Sequence, residues 1–164
     1  MKIHTLAVQM VAASPENVYT ALTTPDTFPS HFKGFGPIPG ISHEVLPEGT
    51  HQYQVGINRK MYGEDGNVYT EKITELEYPN LFAYEIISGF EKPLSWVVNH
   101  GRSVWNFLPY RHHTVVEWHY IFTLTSPLLY PLASLLIKYC MKKAMQACLA
   151  SYKISLEKKV VASA

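Results

Sequence analysis

Histidine and cysteine are the residue types that most often carry metal or nucleophile chemistry, and this chain of 164 residues has 8 His and 2 Cys. His112 and His113 are adjacent, so on a strand their side chains point to opposite faces, and no Cys-x-x-Cys pair occurs. Cys140 and Cys148 lie on a predicted helix, where their spacing corresponds to about 12 Å of rise, too far for a disulfide. We therefore expect no metal, no cofactor, and two reduced cysteines.

Aromatic side chains with polar tips are the stronger candidates for a binding site. Aromatic residues make up 13% of the chain, including 11 Tyr and 7 Phe, which favours a pocket walled by rings. The predicted inner faces of the strands and of the terminal helix share one set of such residues. The expected ligand-binding wall consists of Tyr53, Ile57, Arg59, Tyr84, Ile86, Ser88, Trp105, Trp118, Tyr120, Met141, Met145 and Cys148. The alternative is that most of these side chains fill the core.

Arg59 is the sharpest single candidate in this set. If it faces inward, its charge must be paired or must meet an anionic group such as a ligand carboxylate. If it lies at an exposed strand end, it needs no partner. No Ser, Cys or Lys nucleophile with a paired base is evident, so the catalytic residues, if any, stay unassigned.

Seven strands are predicted from period-two alternation and from the turn residues that separate them. Short connections force neighbouring strands to run antiparallel. In the first strand the alternation groups Leu6, Val8, Met10 and Ala12 on one face. In the last strand it places Glu117 and His119 outside. The predicted strands are Ile3–Ala12, Ile41–Leu46, His51–Tyr62, Val68–Glu77, Leu81–Phe90, Gly101–Pro109 and Thr114–Thr125.

Three helices are predicted from capping signals. Ser14-Pro15-Glu16 predicts a short helix after the first strand, and Thr24-Pro25-Asp26 predicts a second helical turn. Ser126-Pro127 opens one long terminal helix that we expect to continue to Lys159. Its apolar stripe is expected to consist of Ile137, Met141, Ala144, Met145, Cys148 and Tyr152.

Length and charge limit the classes of function. A single domain over residues 1–164 is expected, and a net charge of +1 gives no basic face for nucleic acid. The most apolar stretch, Leu128–Ile137, is shorter than the roughly 20 residues of a spanning helix. No secretory signal is evident, and we expect a cytoplasmic protein. Peripheral membrane contact is compatible with the lysines that follow this stretch.

The order of elements resembles the START/birch-pollen-allergen (SRPBCC) superfamily, and within it the polyketide cyclase/dehydrase and lipid transport group. This resemblance implies an α+β helix-grip fold: a curved antiparallel sheet of about seven strands wrapped around a long C-terminal helix, with two short helices after the first strand. The segments that carry the resemblance are Ala13–Tyr19, Thr24–Asp26, Thr70–Pro79, Gly101 with Trp105, and Thr114–Tyr120.

The leading functional hypothesis is binding or transport of a hydrophobic small molecule, such as a lipid, polyketide or aromatic metabolite, in an internal cavity. One alternative is a metal-free cyclase or dehydratase that uses the same cavity. Another is a protein- or membrane-interaction module built on Leu128–Ile137. A monomer and a homodimer are equally compatible with the sequence.

Overall fold

The computed structural model describes residues 1–91 and 94–162. Seven strands and a long terminal helical segment dominate it, and the predicted α+β helix-grip arrangement is confirmed. The strands are β1 (Lys2–Val11), β2 (Ile41–Val45), β3 (Asn58–Gly63), β4 (Val68–Glu77), β5 (Leu81–Ser88), β6 (Val98–Tyr110) and β7 (His113–Leu124).

All seven strands belong to one antiparallel, curved sheet in the order β1-β7-β6-β5-β4-β3-β2. Strands β2 to β7 are neighbours in both sequence and space, and only β1 crosses to pair with β7. The pairing register shifts once between β2 and β3, twice between β4 and β5, and once between β6 and β7. Such irregularities increase the local bend of a sheet, which helps this one to enclose a space.

Two short helices follow β1. The first, α1 (Pro15–Thr23), begins as predicted, with the Ser14 hydroxyl accepting a hydrogen bond from the Asn17 amide. The second, α2 (Phe28–His31), begins later than predicted. The reason is that Asp26 has φ 64°, which is incompatible with helical geometry at the position where the signal placed the helix.

The terminal segment is helical from Pro127 to Ala162, but its geometry changes along the way. A 3-10 turn (Pro127–Leu129) leads into α3 (Tyr130–Ala133), a π-helix (Ser134–Met141) and finally α4 (Lys142–Ala162). The apolar stripe is where the sequence placed it, since its members are buried apart from the half-buried Met141. The π-helix was not predicted, because periodicity analysis assumes 3.6 residues per turn throughout.

Strand β7 presents the face that its alternation predicts. Its apolar residues at alternate positions are buried: Val116, Trp118, Tyr120, Phe122 and Leu124. In β1, however, the face containing Val8 and Met10 is outside, with 51% and 44% of these residues exposed. The buried face carries the small residues Thr5 and Ala7, and α4 packs on β1. Small side chains allow close helix–sheet approach, which hydrophobicity alone does not reveal.

The strand predicted over His51–Tyr62 is wrong in its first half. Only Asn58 onward belongs to β3. Gly56 has φ 93°, and the Ile57 amide donates to the Gln54 carbonyl at 3.2 Å, so a turn precedes the strand. Val55, which lies in this turn, is 61% exposed.

Candidate functional site

A cavity of about 60 Å³ lies between the inner face of the sheet, α2 with the loop that follows it, and the π-helix. Most of its wall is aliphatic or aromatic, and the lining includes one carboxylate side chain and three tyrosines. The lining residues are Phe28, Phe32, Ile38, Pro39, Ile41, Tyr69, Glu71, Tyr84, Ile86, Phe90, Val98, Trp118, Tyr120, Phe122, Leu136, Ile137 and Met141.

Five residues of the predicted wall line this cavity: Tyr84, Ile86, Trp118, Tyr120 and Met141. The strand residues among them lie on β5 and β7, where the alternation correctly identified the inner face. Met141 is the last residue of the π-helix and is half-buried, so it lies at the less enclosed side of the cavity. The sequence therefore located the sheet side of the cavity better than its helical side.

Three predicted wall residues are buried but do not line the cavity. Trp105 lies on β6 and stacks on Trp118 with ring centroids 3.9 Å apart, so it supports the wall from the side. Met145 and Cys148 lie on α4 and are fully buried in the core. These three follow the alternative that the sequence left open, in which such side chains fill the core.

Two further predicted wall residues lie away from the cavity. Ser88 is exposed, because the β4–β5 register shifts between the pairs Thr70–Ser88 and Glu71–Ile86. This bulge breaks the alternation after Ile86 and turns the end of β5 outward. Ile57 is half-buried in the turn before β3 and does not contribute to the lining.

The last two, Tyr53 and Arg59, belong to a buried ionic cluster with Glu44 and Glu71. Arg59 donates from Nε to Glu71 Oε2 at 2.9 Å and from Nη1 to Glu44 Oε2 at 3.2 Å, and its Nη2 atom forms an ion pair with Glu71 Oε2 at 2.8 Å. The Tyr53 hydroxyl donates to the Glu44 carboxylate at 2.9 Å and accepts a bond from Arg59 Nη1. Arg59 therefore faces inward and is paired within the chain.

The sheet register brings this cluster together. Arg59 on β3 is directly opposite Glu71 on β4, and Glu44 on the neighbouring β2 pairs with Met61, two residues from Arg59 on the same face. The rings of Tyr53 and Tyr84 each lie with their centroids 4.8 Å from Arg59 Cζ. The guanidinium is thus held by acidic groups and by aromatic faces.

Burial and charge act in opposite directions in the cluster. Burial raises the pKa of Glu71, although the charge and hydrogen bonds of Arg59 oppose this. Burial by itself would lower the pKa of Arg59, but Glu71 and Tyr53 outweigh it, so the pKa of Arg59 is raised and the side chain stays cationic. With both glutamates ionised, the three charged side chains carry one net negative charge.

Glu71 connects the ionic cluster with the cavity, because it belongs to both. Its Oε2 atom accepts a hydrogen bond from Arg59 Nε and forms an ion pair with Nη2, whereas Oε1 accepts no hydrogen bond from the described residues. Burial raises the pKa of both Tyr84 and Tyr120, which also line the cavity, so their hydroxyls stay protonated at neutral pH. The cavity therefore offers one ionisable acceptor beside neutral hydroxyl groups.

Glu44 and Glu71 were not predicted as site residues, although the pattern of β4 carries a signal for Glu71. In β4 the residues Tyr69, Glu71 and Ile73 alternate on one face, and all three are buried. An acidic residue within an apolar face, opposite a strand with an inward Arg59, indicates a buried ion pair. Glu44 gives a weaker signal, because β2 is short and little else on its face is apolar.

The helical wall also carries an exposed apolar stripe on its outer side. Leu128, Leu132, Leu135 and Tyr139 are 89%, 54%, 62% and 52% exposed. The π-helix thus contributes to the cavity on one side and to this stripe on the other. Within the described part of the chain, no helix is long and apolar enough to cross a membrane.

These features define a class: an α+β domain whose curved sheet and terminal helix enclose a small, mainly apolar cavity with a buried carboxylate in its wall. The chain belongs to the polyketide cyclase/dehydrase and lipid transport family, whose model matches residues 3–157, within the SRPBCC superfamily. This match confirms the resemblance that the sequence analysis proposed.

Solved structures share the fold at low sequence identity. Ara h 8.0201 matches with a TM-score of 0.68 and 12% identity, covering 96% of this chain and 99% of its own. A protein from Nitrosospira multiformis matches with a TM-score of 0.67 and 17% identity, covering 95% of this chain and 96% of its own. XoxI from Bacillus cereus matches with a TM-score of 0.68 and 18% identity, covering 93% of this chain and 94% of its own. A comparison with curated proteins finds no match.

Proposed function

We propose that this protein binds a small hydrophobic molecule in the cavity between the sheet and the π-helix. The observation that carries the proposal is the wall itself: a continuous apolar and aromatic surface into which a few polar groups converge, the usual composition of a small-molecule site. Membership of a family described by cyclase, dehydrase and lipid transport functions supports the same interpretation.

The size of the cavity determines how binding must occur. Its volume of about 60 Å³ is well below the roughly 150 Å³ of an engineered apolar cavity in another protein that accepts benzene. A ring-sized ligand therefore requires the wall to move. The half-buried lining residues Pro39, Phe90, Leu136 and Met141 are the ones with room to do so, and Met141 has a flexible side chain.

A fluorescence titration with N-phenyl-1-naphthylamine, a neutral apolar dye, tests the proposal. The informative variant is Ile86→Phe, which places a ring in the cavity wall. We expect it to weaken dye binding about tenfold or more, since displacing even one methylene-sized group from an apolar pocket has effects of this order. Ile87→Phe is the matched control, because Ile87 is the next residue of the same strand and is 44% exposed, outside the cavity.

Equal dye binding by the wild type and Ile86→Phe would place the dye elsewhere on the protein. Absence of dye binding to the wild type, together with absence of any copurified small molecule in native mass spectrometry, would refute the proposal. Thermal unfolding of both variants shows whether a loss of binding reflects a loss of folding.

The exposed apolar stripe favours a second candidate function, contact with an anionic membrane surface. Lys138, Lys142 and Lys143 are exposed directly beside it. Apolar side chains flanked by lysines suit the interface of a bilayer with anionic lipids, where each lysine near the surface contributes about 1 kcal/mol.

Sedimentation with vesicles tests this second candidate. We expect binding to phosphatidylserine-containing vesicles that is lost at high salt and in Leu135→Glu. Ile154→Glu is the control, because Ile154 is also a helical residue, 56% exposed, but lies near the other end of the helical segment. Binding that is equally weak with neutral and anionic vesicles would contradict the proposal.

A further inference from the structure

The charges around the cavity constrain the chemistry of the molecule it accepts, and this inference rests on the proposed binding function. Among the described lining residues, Glu71 is the only one with a formally charged side chain at neutral pH. It is 95% buried, since its exposed fraction is 5%. A ligand in the cavity therefore meets a carboxylate and no unpaired cation.

Arg59 does not supply the missing positive charge. Its Nε and Nη2 atoms are engaged by Glu71, and its Nη1 atom is engaged by Glu44 and Tyr53. The side chain is 2% exposed and does not line the cavity. A ligand carboxylate would thus lose its hydration without gaining a salt bridge, and it would also be repelled by Glu71.

A ligand group that donates a hydrogen bond is favoured by this wall, whereas a carboxylate is disfavoured. Glu71 Oε1 accepts no bond from the described residues, and a buried carboxylate oxygen binds a hydroxyl or N–H donor strongly. Tyr84 and Tyr120 line the same wall; their hydroxyls are hydrogen-bonded to each other, and that of Tyr84 also to Ser103. A hydroxyl oxygen has two lone pairs, so these groups add acceptor capacity for a ligand donor.

We propose that the cavity selects neutral apolar molecules that carry a hydroxyl or N–H donor, with Glu71 as the specificity-determining residue, and that it rejects carboxylates. A fatty acid anion or an aromatic carboxylate would therefore be a poor ligand, whereas an alcohol or phenol of the same skeleton would be a good one. This replaces the sequence-based idea that Arg59 meets an anionic ligand group.

Three probes with one skeleton test the proposal at pH 7 by calorimetry: 2-naphthol, naphthalene and 2-naphthoate. We expect 2-naphthol to bind at least tenfold more tightly than 2-naphthoate, and more tightly than naphthalene. In Glu71→Gln the ratio between naphthol and naphthoate should fall towards one, because the repulsion is removed and the amide can donate to a carboxylate. Glu85→Gln, on the outer face of β5 and paired with Arg102, should leave the ratio unchanged.

The outcomes separate this inference from the function on which it rests. If none of the three probes binds the wild type, the proposed function itself fails. If all three bind with similar affinity, or if naphthoate binds best, the cavity exists but the selection is refuted. If Glu71→Gln does not fold, the comparison of the three probes on the wild type still decides the matter.

Discussion

Replacing Arg59 by Met removes the cation that holds the buried ionic cluster together while keeping a long apolar side chain. Glu44 and Glu71 would remain as two carboxylates in a buried site, where the side chains of Arg59, Glu44 and Glu71 are 2%, 1% and 7% exposed. Removing one partner of such a buried pair costs about 3–5 kcal/mol. Because the whole stability of a domain is about 5–15 kcal/mol, the variant should be near the limit of folding.

The loss of stability should depend on pH, with a definite sign. Burial raises the pKa of Glu71 above its ordinary value of 4.5, and Arg59 opposes this rise. A carboxyl whose pKa is raised by folding contributes its full stability below the unfolded pKa and loses it as pH rises through the folded pKa. Without Arg59 the pKa of Glu71 rises further, so the difference between variant and wild type should be larger at pH 8 than at pH 5.

Urea unfolding followed by tryptophan fluorescence at pH 5 and pH 8 measures both effects. Arg102→Met is the matched control, because Arg102 also bridges two glutamates, Glu75 and Glu85, but on the outer face of the sheet with 35% of its side chain exposed. Surface pairs contribute about 0–1 kcal/mol, so this control should change little. A loss below 1 kcal/mol for Arg59→Met, or an equal loss at both pH values, would refute the account of the cluster.

Three further predictions concern a glycine with positive φ, a buried hydrogen bond and the accessibility of the two cysteines. Gly89→Ala should lower the free energy of unfolding by about 2–3 kcal/mol, because Gly89 has φ 103° and a Cβ atom there would lie 2.2 Å from the Val68 carbonyl oxygen; chemical denaturation checks this. Thr114→Val should cost about 0.5–1.5 kcal/mol in the same assay, since the buried Thr114 hydroxyl donates to the Ala13 carbonyl at 2.8 Å; no loss would mean that this bond is dispensable. A thiol reagent should modify Cys140 in the native protein and Cys148 only after unfolding, because burial raises the pKa of the Cys148 thiol; rapid modification of both by mass spectrometry would contradict this.

The sequence predicted the parts of the fold in which a regular period coincides with burial. Strand β7 alternates strictly and is buried on the predicted face. The buried apolar stripe of the terminal helix, from Ile137 to Tyr152, follows the helical period. The prediction failed where the backbone departs from regular geometry. The bulge in β5 turned Ser88 outward, and the turn before β3 shortened the predicted strand.

The candidate site was less predictable, because it depends on pairing between strands. An inward Arg59 could be proposed from alternation, but its partner depends on the β3–β4 register, which places it opposite Glu71. The helical side of the cavity depends on the π-helix. The period of the apolar residues in the sequence did not predict its wider turn. Contacts between elements thus determined which polar groups meet the cavity.

Methyl-resolved NMR during a titration with 2-naphthol tests the central claim, that a small apolar molecule enters this cavity. Ile86, Ile137 and Met141 line the cavity and should show the largest changes in methyl chemical shift. Leu156 is buried in the core outside the lining and should change little. Changes confined to exposed residues such as Leu128, or no saturable change up to the solubility of the probe, would contradict the account.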